Sequence, residues 1–281
     1  MPELTDVRYE TDGPVAIITL ARPRYRNAQS WRLLDDFDTA LDMAMADANV
    51  SVVLLKGDGD HFSSGHDLGT PDHEADRALR NLGEGVESYD NFRKYNLDLL
   101  IKWRNCSKPT IAVVRGYCIF AGWMLAAVMD LVFADTTARF LAAQVEYFSH
   151  PWDIGARKAK EILFESRFID AHEAERLGFV NRVYNPEDLD LESYNYARRV
   201  AENNPMALRM AKVAVNRTQD IQGYTNAVDA AFSDYLSLIQ YRGSARVEGI
   251  RRLGGVDLAV RHERGDRYGL QPLPSEARSG G

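Results

Sequence analysis

Hydrophobic and polar positions in the first 50 residues change period once, and this change predicts a strand followed by a helix. The β-branched run Val15 to Leu20 ends at Arg22-Pro23, as a strand closed by a turn does. From Leu33 to Ala44 apolar residues recur at the i, i+3, i+4 and i+7 spacing of an amphipathic helix. Ser30 stands just before this segment and is the expected N-cap.

The same order of strand and helix recurs further along the chain. A short apolar run, Val52 to Leu55, predicts a second strand, and residues 57–60 predict a turn. A helix is expected from about Tyr89 to Arg104, then the apolar strand Thr110 to Val114, a glycine-containing loop, and a helix from about Gly122 to Met129. Alternating strands and helices indicate an α/β fold with both faces of the sheet covered.

After Val183 the pattern becomes almost entirely helical. Predicted helices run from Leu191 to Glu202, from Met206 to Val215 behind Asn204-Pro205, and from Thr225 to Ile239. We therefore expect a core over residues 1–204 and a helical C-terminal region over residues 205–264. Residues 265–281 are rich in Gly, Pro, Ser and charge, which predicts a flexible tail.

Composition narrows the class of protein. The 281 residues are 45% hydrophobic, which excludes a disordered chain. With 34 Lys+Arg against 41 Asp+Glu the net charge is −7, which argues against nucleic acid as a partner. No apolar stretch approaches the roughly 20 residues of a membrane-spanning helix, and the first residues, with Glu3, Asp6 and Glu10, do not show the basic segment and apolar run expected of a signal peptide. Two cysteines, Cys106 and Cys118, fit a reducing compartment, so we expect a cytoplasmic protein without a membrane partner.

Two loops carry candidate chemistry. The first, residues 62–68, follows the strand Val52 to Leu55; Gly65 permits a positive φ, so the N–H of His66 can be aimed outward. The second, residues 115–122, leads into a helix whose N-terminus is opened by small residues at Ala121 and Gly122. Each loop alone is equally compatible with an ordinary connection. Together they could supply two converging N–H donors, each worth about 3 kcal/mol to charge developing in a transition state.

The chain resembles the crotonase, or enoyl-CoA hydratase/isomerase, superfamily. Arg22-Pro23 with Arg26-Asn27-Ala28 is similar to the family's R-P-x-x-x-N-A, and Phe62-Ser63-Ser64-Gly65-His66-Asp67-Leu68 to its F-S-A-G-x-D-L. Lys108 to Gly116 is similar to K-P-x-I-A-x-V-x-G, and Leu125-Ala126 through Asp130 to L-A-x-x-x-D. Two further segments, Ala159 to Leu163 and Ala171 to Asn181, also match, so six motifs occur in order over about 160 residues.

The resemblance implies a spiral of repeated ββα units with a C-terminal helical trimerisation region, and a homotrimer or a dimer of trimers. It implies an acyl-CoA thioester as substrate, coenzyme A as part of that substrate, and no permanently bound cofactor. The thioester oxygen would meet the backbone N–H groups of His66 and Ala121. The His66 ring would then do no acid–base work. Substrate or CoA contacts are expected from Arg24, Arg26, Asn27, Ala28, Ser64, Gly65, Asp67, Leu68, Tyr117 and Met124.

The chain departs from the family at its acid–base residues. Hydratases of this family use two glutamates, which act as a general acid–base pair. The first position, three residues after Ala121, holds Met124, and the second falls on Gln144. The next segment offers Glu146 as the first candidate for a substitute base, with His150 and Asp153 after it; a surface position for Glu146 is the alternative.

Three hypotheses for the function therefore remain. The first is a CoA-thioester enzyme that stabilises an enolate or tetrahedral oxyanion, with hydration, a double-bond shift, or C–C or thioester cleavage as its reaction. The second is a non-catalytic acyl-CoA-binding homologue, and the third is a structural oligomer partner without a ligand. A metal site is not expected, because the six histidines are scattered without ligand spacing.

Overall fold

Two β-sheets form the centre of the protein. A computed structural model describes residues 3–80, 84–142, 147–244, 259, 260 and 263. The strands are β1 (Val7–Asp12), β2 (Val15–Leu20), β3 (Val52–Gly57), β4 (Thr110–Val114), β5 (Tyr117–Ile119), β6 (Leu131–Asp135), β7 (Arg139–Leu141), β8 (Ile169–Asp170) and β9 (Arg182–Tyr184). The larger sheet has the order β1-β2-β3-β4-β6-β9, and the smaller has the order β5-β7-β8.

Helices surround these sheets. They are α1 (Trp31–Ala46), α2 (Pro71–Leu79), α3 (Val86–Arg93), α4 (Leu99–Arg104), α5 (Ala121–Ala127), α6 (His150–Asp153), α7 (Ala156–Glu165), α8 (Ala171–Arg176), α9 (Leu189–Ala201), α10 (Pro205–Ile221) and α11 (Tyr224–Ser244). A π-helical stretch, Lys94–Asp98, joins α3 to α4. This arrangement confirms the α/β fold that the sequence predicts.

The large sheet is buried on both faces. Only β1 and β2 are antiparallel; β2, β3, β4, β6 and β9 run parallel. In β4 alternate side chains enter different cores: Ala112 and Val114 pack with α1, α4 and α5, whereas Ile111 and Val113 pack with α9. Burial on both sides explains why these strands read as continuous apolar runs rather than alternating ones.

Each central parallel strand is followed directly by backbone that pairs with the smaller sheet. After β4 comes β5, and after β6 comes β7, which pairs with β5 in parallel. After β3 the chain makes a single bridge, Ser63 to Cys118, beside the same sheet. The repeated ββα order therefore stacks the loops after β3 and β4 next to each other.

Local signals in the sequence predict about half of these elements and miss β1, β5 to β9, α2 and α6 to α8. Strands β2 and β4 have the predicted bounds. Ser30 caps α1, because its side chain accepts a hydrogen bond from the Leu33 N–H at 3.2 Å. The predicted helix from Tyr89 to Arg104 is present and begins three residues earlier, at Val86.

Gly57 was expected in a turn, but it is the last residue of β3 and the turn begins at Asp58. Its role is close approach, since a Cβ there would lie 2.3 Å from the His61 carbonyl oxygen and 2.7 Å from Asn27 Nδ2. The helix expected from Gly122 begins one residue earlier, which makes Ala121 its first residue. Edge strand β1 and the three-residue β9 gave no apolar run strong enough to predict them.

The C-terminal helices are present, and α10 begins at Pro205, where the sequence predicts a boundary. Helix α10 is attached to the core through Lys212, whose Nζ lies 2.8 Å from Asp130 Oδ2 and 3.1 Å from the Lys108 carbonyl oxygen. The proposed tail lies outside the described residues. Across the described part of the chain, every helix falls short of the length and apolarity that crossing a bilayer demands.

Candidate active site

The loops after β3 and β4 are held together by backbone hydrogen bonds. The Ser63 N–H donates to the Tyr117 carbonyl at 2.9 Å, and the Ile119 N–H donates to the Ser63 carbonyl at 3.1 Å. These bonds extend the small sheet by one residue and place residues 64–67 beside residues 119–122. The two loops that the sequence singled out are therefore neighbours in space.

Glycines allow the two loops to touch. Gly65 has a φ of +89°, and a Cβ on it would lie 2.9 Å from the Ile119 carbonyl oxygen and 3.3 Å from the Ala121 nitrogen. A Cβ on Gly122 would lie 2.5 Å from the Ser63 carbonyl oxygen. Side chains at these positions would push the loops apart. As a result, His66, which follows Gly65, and Ala121 lie on adjoining segments of backbone.

The backbone direction at His66 is fixed from both sides by Gln29. The Gln29 N–H donates to the Gly65 carbonyl at 2.8 Å, and the Asp67 N–H donates to the Gln29 carbonyl at 3.0 Å. This is a parallel bridge centred on His66. The peptide between Gly65 and His66 has one constrained orientation.

The second N–H, that of Ala121, follows a strained residue. Phe120 has φ +52° and ψ −117°, a conformation that glycine adopts readily and L-residues rarely do. The Phe120 N–H donates to the Leu141 carbonyl at 2.9 Å, and its carbonyl accepts from Met124 N at 3.2 Å. As the first residue of α5, Ala121 has an N–H without a carbonyl partner inside the helix. The strain is thus stored directly beside one of the two predicted donors.

A buried ion pair anchors the loop that carries His66. Asp67 Oδ2 lies 2.8 Å from Arg22 Nη2, and Arg22 Nη1 donates to the Ala28 carbonyl at 2.5 Å. Asp67 also accepts hydrogen bonds from the Thr70 N–H at 2.8 Å and the Thr70 hydroxyl at 2.6 Å. Burial opposes the charged carboxylate, but the hydrogen bonds from Thr70 and Arg22 outweigh it and hold the pKa of Asp67 below its usual value.

Among the predicted CoA contacts, Asn27 and Asp67 use their side chains inside the protein. The Asn27 Oδ1 accepts from Arg22 N, and its Nδ2 donates to the carbonyls of Asp58 and His61. A contact from either residue to a ligand would have to come from the backbone. Ala28 is buried, and Ser64 is half-buried with its hydroxyl donating to the Tyr25 carbonyl at 3.3 Å.

The remaining predicted CoA contacts lie at the surface of the same region. The exposed Arg24 pairs with Asp72, and Arg26 has a left-handed backbone with its guanidinium 5.9 Å from the Tyr117 ring centre. Leu68 is 96% exposed. Basic and apolar groups therefore flank the loop on its solvent side. Their contacts with CoA stay a prediction.

The ring of Tyr117 packs among other rings at the edge of a cavity. It stacks on His61 at 4.7 Å and on Phe168 at 5.9 Å between ring centres. With His61 and Arg139 it lines a cavity of about 700 Å³. A second cavity, of about 660 Å³, lies between the core and α10. Neither of these two cavities is lined by His66 or Ala121.

Met124 occupies the position where the family's hydratases carry their first glutamate. It is 1% exposed, and its sulfur accepts a hydrogen bond from the Tyr147 N–H at 3.2 Å. A buried thioether in this bond neither donates nor removes a proton. Gln144 and Glu146, the other two residues of the acid–base prediction, lie outside the described residues.

His150 and Asp153 lie on α6, beside Trp123. The His150 ring centre is 5.1 Å from that of Trp123, and burial lowers the pKa of His150 to about 4. Burial raises the pKa of Asp153 to about 7, against the hydrogen bond that its Oδ2 accepts from Ser149 Oγ at 2.6 Å. Both ring nitrogens of His150 are buried and have no partner within the described part of the chain.

The sequence reasoning missed Gln29 and the backbone role of Phe120. Gln29 follows the Asn27-Ala28 motif, and nothing in its local pattern distinguishes it from a surface turn residue. A non-glycine residue directly before Ala121 was visible, but its positive φ was not. In the described portion, no group of three or more metal-ligating side chains was found.

Comparison with known proteins identifies a family for this chain. The model of the enoyl-CoA hydratase/isomerase family matches residues 10–240. The chain is 40% identical over 252 residues to EchA13 of Mycobacterium tuberculosis, named provisionally as an enoyl-CoA hydratase, covering 82% of this chain and 79% of that one.

Solved structures agree with this match. A probable enoyl-CoA hydratase from Mycobacterium smegmatis has a TM-score of 0.73 at 40% identity, with 81% of this chain and 91% of that chain covered. An enoyl-CoA hydratase/isomerase from Xanthobacter autotrophicus Py2 has a TM-score of 0.77 at 32% identity, with 93% of this chain and 99% of that chain covered.

Proposed function

Because this chain belongs to the enoyl-CoA hydratase/isomerase family, we propose that it binds an acyl-CoA thioester and stabilises negative charge on the thioester oxygen. The donors are the backbone N–H groups of His66 and Ala121. The observation that carries the proposal is the contact of the two loops through Gly65, which puts the Ala121 nitrogen 3.3 Å from where a Cβ of Gly65 would stand. Two fixed donors on adjoining segments can serve one oxygen atom.

The charge arises when a proton is removed from the α carbon of the thioester or a nucleophile is added to the β carbon of its α,β-unsaturated form, and the thioester oxygen then becomes an enolate oxygen. Addition of a nucleophile to the carbonyl carbon itself makes the same oxygen an alkoxide. Fixed N–H donors need no reorganisation as this charge develops, and removal of one such donor typically costs 10²- to 10³-fold in rate. The reaction therefore belongs to the enolate and oxyanion chemistry of CoA thioesters, which includes hydration and double-bond shifts.

The general base is proposed to be Glu146, on sequence grounds alone. Met124 cannot transfer protons, and a neutral amide stands at Gln144. One carboxylate suffices for a step that moves a single proton, such as a double-bond shift, whereas the family's hydratases use two. Loss of a positioned base costs on the order of 10²- to 10⁴-fold.

Burial of Met124 in a hydrogen bond also favours a second candidate function. A protein that keeps the two donors but has lost proton transfer would bind acyl-CoA without turnover. Its assembly is proposed to be a homotrimer or a dimer of trimers in either case, since α10 carries exposed Met206, Met210, Val215 and Ile221.

Crotonyl-CoA and 3-butenoyl-CoA turnover, together with butyryl-CoA binding, test the proposal. His66→Ala keeps the backbone donor and should retain activity, whereas His66→Pro removes the N–H and should lose about 10²-fold or more. Where the proline variant fails to fold, replacement of Ala121 by lactic acid removes one N–H without changing the side chain.

Glu146→Gln separates the two candidate functions. If the wild type turns over a thioester and Glu146→Gln does not, the carboxylate is the base. Binding without turnover in both proteins supports the non-catalytic candidate. Equal activity in His66→Pro, in the lactic acid variant and in the wild type would contradict the role of the two N–H groups.

A further inference from the structure

Gln29 contacts both loops of the proposed site, residues 62–68 and residues 115–122, through different parts of itself. Its backbone bonds to Gly65 and Asp67 on either side of His66, as described above. Its side-chain Nε2 donates to the Ala121 carbonyl at 3.0 Å and to Ser63 Oγ at 3.2 Å. It is 6% exposed.

From this geometry we infer that Gln29 is a positioning residue that sets the distance and relative orientation of the His66 and Ala121 N–H groups. The inference rests on the proposed function and deepens it. Gln29 acts through the backbone that it holds, at Gly65 and Asp67 on one loop and at Ala121 on the other.

The side-chain bond matters because it ties the first loop directly to Ala121, in addition to the hydrogen bonds that the Phe120 N–H and carbonyl make to Leu141 and Met124. Phe120 has a strained positive φ, so the peptide leading to Ala121 would relax if it were not held. The Gln29 amide holds the carbonyl of Ala121 from the side of the first loop. This carbonyl belongs to the peptide between Ala121 and Gly122, whereas the Ala121 N–H lies on the preceding peptide, so the bond acts by fixing the Ala121 backbone that joins the two. A displacement of Ala121 by less than an ångström would misalign its N–H with the thioester oxygen.

Ser63 completes the arrangement. Its hydroxyl donates to the Asn27 carbonyl at 2.9 Å and accepts from the Gly65 N–H at 3.2 Å as well as from Gln29 Nε2. The Gln29 amide thus donates both of its protons within the site, one to each loop. An apolar side chain of the same length would fill the space but would leave the loops joined by backbone contacts alone.

Gln29→Met is the sharpest variant, because methionine matches the length and flexibility of glutamine and lacks a donor. Gln29→Asn keeps a buried amide but is one methylene too short to span both acceptors, and it provides the test if Gln29→Met does not fold. Leu41→Ala is the matched control: Leu41 is 1% exposed on the same helix that follows Gln29, and its loss destabilises the core without touching either loop.

The readout is the thioester carbonyl stretch of bound butyryl-CoA labelled with ¹³C at that carbon, measured by difference infrared spectroscopy. Hydrogen bonds from the two N–H groups should lower the stretching frequency in the wild type and in Leu41→Ala. In Gln29→Met and Gln29→Asn the frequency should return toward that of free butyryl-CoA. For a substrate that is turned over, kcat should fall roughly 10- to 100-fold with little change in KM.

The outcomes distinguish the two proposals. If wild-type protein binds butyryl-CoA without a lowered frequency, or does not bind it, the proposed function fails. If the wild type lowers the frequency and a folded Gln29 variant lowers it equally, the proposed function stands and the role of Gln29 is overturned. If the frequency shift is lost in Leu41→Ala as well, the effect comes from general destabilisation. That result would also overturn the role of Gln29.

Discussion

Nη2 of Arg22 lies 2.8 Å from Oδ2 of Asp67, and the two side chains are 2% and 0% exposed. The pair joins the segment after β2 to the loop after β3. Since Arg22 also donates to the Ala28 carbonyl, one guanidinium fixes both the proposed CoA-binding segment and the loop of His66.

Arg22→Met should destabilise the protein by roughly 3–5 kcal/mol, because it leaves the Asp67 carboxylate buried without its cation. Urea unfolding measures the loss. The double variant Arg22→Met, Asp67→Leu should lose less than the sum of the two single variants. Strict additivity would show that the two side chains contribute independently.

Phe120 should reverse the usual stability order of alanine and glycine. Both Phe120→Ala and Phe120→Gly remove the ring, but only glycine is relaxed at φ +52°. The glycine variant should be the more stable by about 1 kcal/mol. Urea midpoints compared at equal slope provide the measurement, and a more stable alanine variant would disprove the strain.

His150 and Asp153 should give opposite pH dependences of stability. The pKa of Asp153 is about 7 in the fold against an ordinary 3.8, so its neutral form is favoured and its contribution falls as pH rises from about 4 to 7. The pKa of His150 is about 4 against 6.5, so burial of the neutral ring becomes less costly as pH rises from about 4 to 6.5.

Urea unfolding of the wild type and of single variants between pH 4 and 8 tests these opposite pH dependences. Relative to the wild type, Asp153→Asn should gain stability with rising pH, and His150→Gln should lose it. Each difference should reach about 3–4 kcal/mol at most across the range. A profile of Asp153→Asn parallel to that of the wild type would mean that Asp153 does not titrate in the fold.

The exposed apolar residues of α10 predict an oligomer. Met210 and Ile221 are 46% and 80% exposed in a single protomer of 31.7 kDa. Light scattering should give the mass of three or six protomers for the wild type. Met210→Glu, Ile221→Glu should reduce it to one, because burying two carboxylates in an interface is costly.

Leu191→Glu, which changes a 61% exposed residue on α9, serves as the control and should leave the mass unchanged. If the wild-type protein is monomeric at micromolar concentration, the prediction of an oligomer is wrong. The same mass for the α10 variant and the wild type would place the interface elsewhere.

The elements with local signals can be predicted from the amino-acid sequence alone. Apolar runs such as Thr110 to Val114 are long enough to predict a buried strand. The apolar residues after Ser30 are spaced so that they share one face only if the segment is a helix. The two glycine-containing loops were also identified in advance, because small residues beside a strand end permit close backbone approach. Their order, shared with a known family, supplied the expected fold.

The way the two loops meet depends on contacts that exist only in the folded chain. Gln29 has no local signal, since its amide gains its role from acceptors 34 and 92 residues away, on Ser63 and Ala121. The positive φ of Phe120 is imposed by the hydrogen bonds around it rather than by its own preference. The sequence also predicts substrate or CoA contacts from Met124 and Asp67. In the fold both side chains are buried and hydrogen-bonded within the protein. Partners far apart in sequence, and burial itself, are properties of the packed chain.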